Sequence, residues 1–220
     1  MILHNSFTAR PIIQWRSDPE MKTKPLLAVL MATSMITACS GVMDSAQPAR
    51  QTYMLMPSAQ ASGTANDGQG PVLSVSLGAV PGLDTDRIQA LDSDAQLKRY
   101  ANARWPDHLP EVLGSVVQRS LAASGRFSAV EQSERASGDG WLLQLEVQKF
   151  YGLQSTSGST NSVVVEVSGS IECADNKETF TLSDSQPVSE DRLSIVVAAH
   201  QRGLDNVTRQ MLERINGACS

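Results

Sequence analysis

The fold is organised around a helix and the strand after it, which lie in the stretch Asp107-His-Leu-Pro-Glu-Val-Leu-Gly-Ser-Val-Val-Gln-Arg-Ser-Leu-Ala-Ala-Ser-Gly-Arg-Phe127. Asp107 is the predicted N-cap, and Pro110 falls in the first turn, where a missing N–H costs nothing. Gly125 accepts the left-handed turn that ends a helix, so a strand is expected over residues 127–130. Apolar side chains recur at helical spacing and predict one buried stripe: Leu109, Val112, Leu113, Val116, Val117 and Leu121.

Upstream of this helix, the chain shows the patterns of strands and a hairpin. Apolar residues alternate with serines in residues 72–80, which predicts a half-buried strand. Residues 87–91 and 96–100 then face each other as a hairpin across a polar turn. Four nearby acids lack the closing bidentate glutamate of a calcium loop, so they are interpreted as solvated turn residues and no metal is expected: Asp84, Asp86, Asp92 and Asp94.

Downstream, alternation in residues 141–147 predicts a strand whose phase slips at Lys149-Phe150, where a bulge or strand end belongs. A long strand and its return partner follow within residues 163–182. A second helix begins after its predicted N-cap, Ser189. The pattern predicts an α+β fold with a mainly antiparallel sheet of about five or six strands and two helices packed on one face. The inward side chains of the second helix are Leu193, Val196, Val197, Leu204, Val207, Met211 and Ile215.

Residues 21–39 have the features of a secretory leader that ends in a lipoprotein cleavage site. Two lysines supply its positive n-region, and the apolar run after them is too short to span a bilayer. Ile36, Thr37 and Ala38 precede Cys39 and resemble the signal peptidase recognition sequence of bacterial lipoproteins. A plain secretory leader with a chance cysteine is the alternative.

The lipoprotein resemblance implies that Cys39 becomes the N-terminus, with a diacylglycerol on its sulfur and an acyl chain on its amine. Each buried methylene adds roughly 0.8 kcal/mol, so two or three chains hold a protein on a membrane. Ser40 stands where an inner-membrane retention signal usually has Asp. The resemblance therefore favours the inner leaflet of the outer membrane, with the protein facing the periplasm.

The chain divides into a leader, a tether and one folded domain. Residues 1–38 are the leader, of which residues 1–20 are a start-site artefact or a long n-region. Residues 39–70 are expected to form a lipidated flexible tether with a short strand near 53–56, and residues 71–218 to form the domain. Of 18 basic and 23 acidic side chains, four and two lie in the leader, so the mature chain carries about −7. This charge argues against nucleic-acid binding.

The side chains with reactive chemistry suggest structural roles. Cys173 and Cys219 are expected to form a disulfide in an oxidising periplasm, with two separate buried thiols as the alternative. His200 falls on the apolar stripe of the second helix, and His108 lies in the exposed first turn of the other. No second His, Cys or carboxylate stands three or four residues after His200, and the sequence has no Gly-x-Ser-x-Gly, so no catalytic residue or cofactor is expected.

Five segments occur along the chain in a recognisable order: Leu83-Asp-Thr-Asp-Arg87, Tyr100 with Arg104-Trp105, Ser124-Gly-Arg-Phe-Ser-Ala-Val130, Lys149-Phe150, and Asp191-Arg-Leu-Ser-Ile-Val-Val-Ala-Ala-His200. Together they resemble the ABC-type transport auxiliary lipoproteins, which accompany mammalian-cell-entry (MCE) type lipid transport systems of Gram-negative envelopes.

The resemblance implies a non-catalytic, lipid-anchored subunit that helps to move phospholipids or other apolar compounds between the two membranes. The implied partners are an MCE-domain protein, the ABC permease and ATPase, and an oligomer of the lipoprotein itself. Tyr100 and Trp105 are candidate contacts for a partner, although a tryptophan at this position also packs over the sheet. The rival function is an outer-membrane assembly or scaffolding lipoprotein without a transporter.

Overall fold

The computed structural model describes residues 49–58, 69–174 and 176–219. Within these ranges the chain forms two helices and an eight-stranded sheet. The elements are β1 (Gln51–Thr52), β2 (Val72–Ala79), β3 (Arg87–Leu91), β4 (Leu97–Arg104), α1 (Leu109–Ala123), β5 (Ala129–Gln132), β6 (Trp141–Gln154), β7 (Thr160–Cys173), β8 (Asn176–Pro187) and α2 (Leu193–Ala218).

Strand β6 is the central strand of the sheet, and it pairs with three other strands. Its antiparallel partner β7 runs along one edge for the whole length of β6. On the other edge, β2 lies parallel to the first half of β6 and β3 lies parallel to its end. The β6–β7 register shifts between Val147 and Lys149, which confirms the predicted bulge. The predicted hairpin is also confirmed, since β3 and β4 pair antiparallel.

The prediction of a mainly antiparallel sheet of five or six strands was wrong. The described sheet is mixed, and four of its seven strand pairings are parallel: β1–β4, β2–β5, β2–β6 and β3–β6. Short turns in the sequence predict antiparallel hairpins. Parallel partners are distant in the chain, so no local pattern indicates them. The described sheet also has eight strands instead of five or six, of which β1 and β5 are the shortest, with two and four residues.

Both helices pack on the same face of the sheet, as predicted. A Cβ atom at Gly114 of α1 would lie 3.8 Å from Cβ of Leu77 in β2, and one at Gly203 of α2 would lie 2.8 Å from Cγ2 of Val165 in β7. All six predicted stripe residues of α1 are buried in the core that the two helices share with the sheet. The opposite face carries the polar side chains of β6, β7 and β8.

The predicted N-caps of both helices were wrong. In α1 the N-cap is His108, and the Asp107 carboxylate accepts a hydrogen bond from the His108 amide at 2.7 Å instead of reaching into the first turn. In α2 the N-cap is Arg192, which follows Ser189 by three residues and makes no side-chain cap. The C-terminal end of α1 is as predicted, because Gly125 has a φ of 69°. β5 begins at Ala129 and ends beyond the predicted strand.

The close approach of α2 to β7 gives the first testable prediction. The Gly203→Ala variant places a methyl group against the stiff, β-branched Val165, so we expect the free energy of unfolding to fall by about 1–3 kcal/mol. Gly217→Ala is the matched control in the same helix, where an added Cβ meets nothing within 4 Å. This control should be neutral or slightly stabilising, by up to about 1 kcal/mol. Urea unfolding checks both; equal effects would contradict the packing.

Candidate functional site

A segment before the first long strand is docked on the domain; we call residues 53–58 the strap. The predicted strand near 53–56 lies two residues earlier, as β1, whose Gln51 and Thr52 pair in parallel with the end of β4. The amide of Tyr53 continues this ladder by donating to the Arg104 carbonyl at 2.9 Å. Leu55 is 2% exposed and belongs to the hydrophobic core.

Side chains of both helices hold the strap. The Gln201 side chain in α2 accepts from the Met56 amide at 2.8 Å and donates to the Met56 carbonyl at 2.9 Å. The Ser120 hydroxyl in α1 accepts from the Ser58 amide at 3.0 Å. Sequence reasoning missed Gln201 and Ser120, since nothing local marks a glutamine whose partner is 145 residues away. The strap is therefore a folded part of the domain.

The two aromatic residues expected as partner contacts occupy different environments. Trp105 is 1% exposed and lies edge-on to Phe150, with ring centroids 5.8 Å apart. Its ring therefore packs in the core, away from the surface. Tyr100 is half-buried, and its hydroxyl forms a hydrogen bond with that of Thr160. Burial raises the pKa of the Tyr100 phenol. Of the two side chains, only Tyr100 reaches the surface.

His200 is fully buried beside the same aromatic rings. Its Nδ1 lies 2.9 Å from the Val196 carbonyl oxygen, to which it donates as the neutral imidazole. Its Nε2 has no hydrogen-bond partner among the described residues. The ring centroids of Trp105 and Phe150 are 5.6 and 4.7 Å away. Burial lowers the pKa of His200 to about 4, so the side chain is neutral at pH 7.

The structure joins Cys173 and Cys219 by a disulfide, with their Cα atoms 5.9 Å apart. The bond ties the end of β7 to the residue after α2. Two carbonyls at this end of the chain also accept hydrogen bonds, that of Ala218 from Asn176 Nδ2 at 2.8 Å and that of Cys219 from Arg126 Nη2 at 3.1 Å. These contacts fix the C-terminal end of α2 against the sheet.

The expected lipidation site and its recognition sequence lie outside the described residues: Cys39, Ile36, Thr37 and Ala38. Within the described ranges, no helix is long and apolar enough to cross a membrane. The same ranges contain no cluster of three or more His, Cys, Asp or Glu side chains that could hold a metal ion. The carboxylates of Asp84, Asp86 and Asp92 contact other groups of the protein; Asp92, for example, accepts from the Asp94 and Gln96 amides.

A comparison with known protein families identifies the family of this chain. A family model described as the ABC-type transport auxiliary lipoprotein component matches residues 53–212. The chain belongs to this family. The match begins within the strap, which agrees with its docking on the domain. Membership confirms the predicted family, and it implies a lipoprotein of the cell envelope that is associated with an ABC transport system.

Solved structures similar to this auxiliary lipoprotein show the fold alone. A crystal structure of a protein from Xanthomonas campestris has a TM-score of 0.59 and 19% identity, covering 75% of this chain and 94% of that one. A crystal structure of an uncharacterized protein has a TM-score of 0.59 and 15% identity, covering 76% and 99%. No curated protein matches the chain.

The disulfide of the auxiliary lipoprotein gives the second prediction. Replacing both Cys173 and Cys219 by Ser removes a crosslink across 46 residues, and the free energy of unfolding should fall by about 2–4 kcal/mol. Urea unfolding of the variant and of the wild type, with and without reductant, checks this. Reductant should lower the stability of the wild type alone. Equal midpoints for the variant and the oxidised wild type would contradict the prediction.

His200 gives the third prediction, through the pH dependence of stability. The unfolded chain protonates this histidine near its ordinary pKa of 6.5, and the folded chain only near 4. The contribution of His200 to the free energy of unfolding is thus fully present above about pH 6.5. It falls by roughly 3 kcal/mol in total as the pH drops below 4.

We expect His200→Leu to lose this part of the pH dependence, as measured by unfolding free energies between pH 7 and pH 4. His108→Gln is the control, because the imidazole of His108 is exposed and hydrogen-bonded to Asp84, which raises its pKa. Since acid also titrates carboxylates, the comparison is the difference between variant and wild type at each pH. Parallel pH profiles for His200→Leu and wild type would refute the assignment.

Proposed function

We propose that this protein is a non-catalytic, lipid-anchored periplasmic subunit of an MCE-type ABC transport system, which moves phospholipids or other apolar compounds across the Gram-negative envelope. The observation that carries the proposal is the family match over residues 53–212, in a chain whose Ile36-Thr-Ala-Cys39 resembles a lipoprotein cleavage site. Residues 1–38 are the leader in this proposal. The folded domain extends from the strap to residue 218.

The chemistry of the described side chains supports a non-catalytic role. His200 is buried and neutral, and it binds a backbone carbonyl of its own helix. His108 pairs with the Asp84 carboxylate at 2.8 Å on the surface. Cys173 and Cys219 are consumed in a disulfide. The groups that most often act as bases or nucleophiles are thus engaged in structural contacts.

The anchor sets the location in this proposal. Cys39 carries a diacylglycerol on its sulfur and an acyl chain on its amine, and it needs no other cofactor. Ser40 in place of Asp favours the inner leaflet of the outer membrane. The partners are an MCE-domain protein, the ABC permease and ATPase, and further copies of the lipoprotein. ATP is hydrolysed by another subunit, since the sequence has no phosphate-binding glycine loop.

Crosslinking in intact envelopes followed by affinity capture of this protein tests the function. We expect capture to recover an MCE-domain protein together with the permease or ATPase, at a yield that depends on the anchor. Cys39→Ser removes the acylated sulfur and should release the protein from membranes, with a large loss of partner recovery. Ser40→Asp keeps the acyl chains and should move the protein to the inner-membrane fraction.

Two results would contradict the proposal. Recovery of no MCE component from envelopes in which the protein fractionates normally would remove the transport assignment and favour a scaffolding lipoprotein. If the Cys39→Ser variant stayed on the membrane to the same extent as the wild type, the assignment of a lipid anchor to Cys39 would be wrong.

A further inference from the structure

Two large apolar side chains are exposed on the strap. Met54 is 65% exposed and Met56 is 61% exposed. In the described part of the chain, Leu97 is the one other exposed large apolar side chain, at 37%. Leu97 lies at the opposite end of β4 from the residues that pair with β1, so it does not belong to the same surface.

The strap holds the two methionines in a fixed direction. Leu55 between them is buried in the core, so its two neighbours point outward on the same side of the segment. Gln201 binds both the amide and the carbonyl of Met56, which prevents the segment from turning over. Burying Met54 and Met56 would break these contacts, so the folded domain keeps both side chains in solvent. An outward apolar pair held in this way is a surface for an apolar partner.

The lipid anchor lies close to this surface along the chain. Docking of β1 and the strap leaves only the residues between Cys39 and Gln51 as a tether. A chain of this length reaches at most about 40 Å when fully extended. The methionines therefore stay within reach of the bilayer that holds the acyl chains.

We propose that the strap lies on the lipid surface, with the side chains of Met54 and Met56 inserted at the level of the lipid headgroups. The proposal rests on the lipid anchoring in the proposed function, and it adds the side of the domain that faces the membrane. Methionine suits such a contact, because its unbranched, polarisable side chain adapts to an irregular apolar environment. Insertion of two side chains strengthens a membrane contact that the acyl chains already hold.

The charges around the strap show what kind of lipid surface fits. Met54 borders a groove beside α1 whose rim includes Arg119 and two acids, Asp107 and Glu111. Asp205 lies next to Gln201, and its carboxylate accepts a hydrogen bond from the Gln201 side chain at 2.8 Å. Acidic side chains thus offset the basic one, so the contact does not depend on anionic lipid. A zwitterionic bilayer serves as well as an anionic one.

Depth measurement on vesicles tests the contact. The natively lipidated protein is prepared as Met54→Cys, Met56→Cys and Leu97→Cys variants, each labelled with an environment-sensitive nitrobenzoxadiazole group and reconstituted in phosphatidylethanolamine–phosphatidylglycerol vesicles. Leu97 is the matched control, an exposed apolar residue away from the strap. Lipids with a spin label near the headgroup should quench positions 54 and 56 by about twofold or more, as expected for side chains about 5–10 Å into the interface. Position 97 should be unaffected.

The outcomes separate this inference from its rivals. Quenching at 54 and 56 that persists without phosphatidylglycerol supports the proposal. No quenching at these positions in protein that stays bound to the vesicles overturns it, while the anchor and the transport function stand. A blue-shifted label that is not quenched, and whose shift disappears at low protein density, shows that a second copy covers the strap and also overturns it. Quenching of position 97 to the same degree shows unspecific adsorption and counts against it too.

Discussion

Strand β6 is the element on which the rest of the structure depends. One edge of this strand pairs along its full length with β7, and the other edge is divided between β2 and β3. Because β2 and β3 follow each other along one edge, the chain between them must end one strand and start another, which it does at Pro81 and Gly82. Gly152 in β6 allows the close pairing at its far end, since a Cβ atom there would lie 2.7 Å from Thr160 Cγ2.

The helices turn this mixed sheet into a domain with two different faces. They bury one face in a core that includes Trp105, Phe150 and the neutral His200, and leave the polar face open. The strap closes the helix layer, because Gln201 and Ser120 bind its backbone and Leu55 enters the core. The disulfide fixes the other end of α2. The strap is thereby part of the folded domain.

Periodicity in the sequence predicted the elements well where a single element determines its own pattern. The apolar stripe of α1, the β3–β4 hairpin and the bulge after Val147 all follow from residues within one element or one turn. The N-caps at Asp107 and Ser189 were wrong, because a capping residue is chosen by local backbone geometry that sequence spacing does not show. The sequence left two interpretations of Trp105, as a contact for a partner or as a side chain packed over the sheet. Its side chain is 1% exposed, which supports the second.

The sequence by itself determined the family, the α+β class, the two helices on one face and the leader pattern that ends at Cys39. These features are local patterns or ordered motifs, and a linear chain displays them directly. Only the tertiary structure decided the parallel pairings, the choice between a Cys173–Cys219 disulfide and two separate thiols, and the hydrogen bonds of Gln201 to Met56. Each of these joins residues that are far apart in the chain. The energy of such a contact depends on the path of the backbone between its partners, which local side-chain patterns do not record.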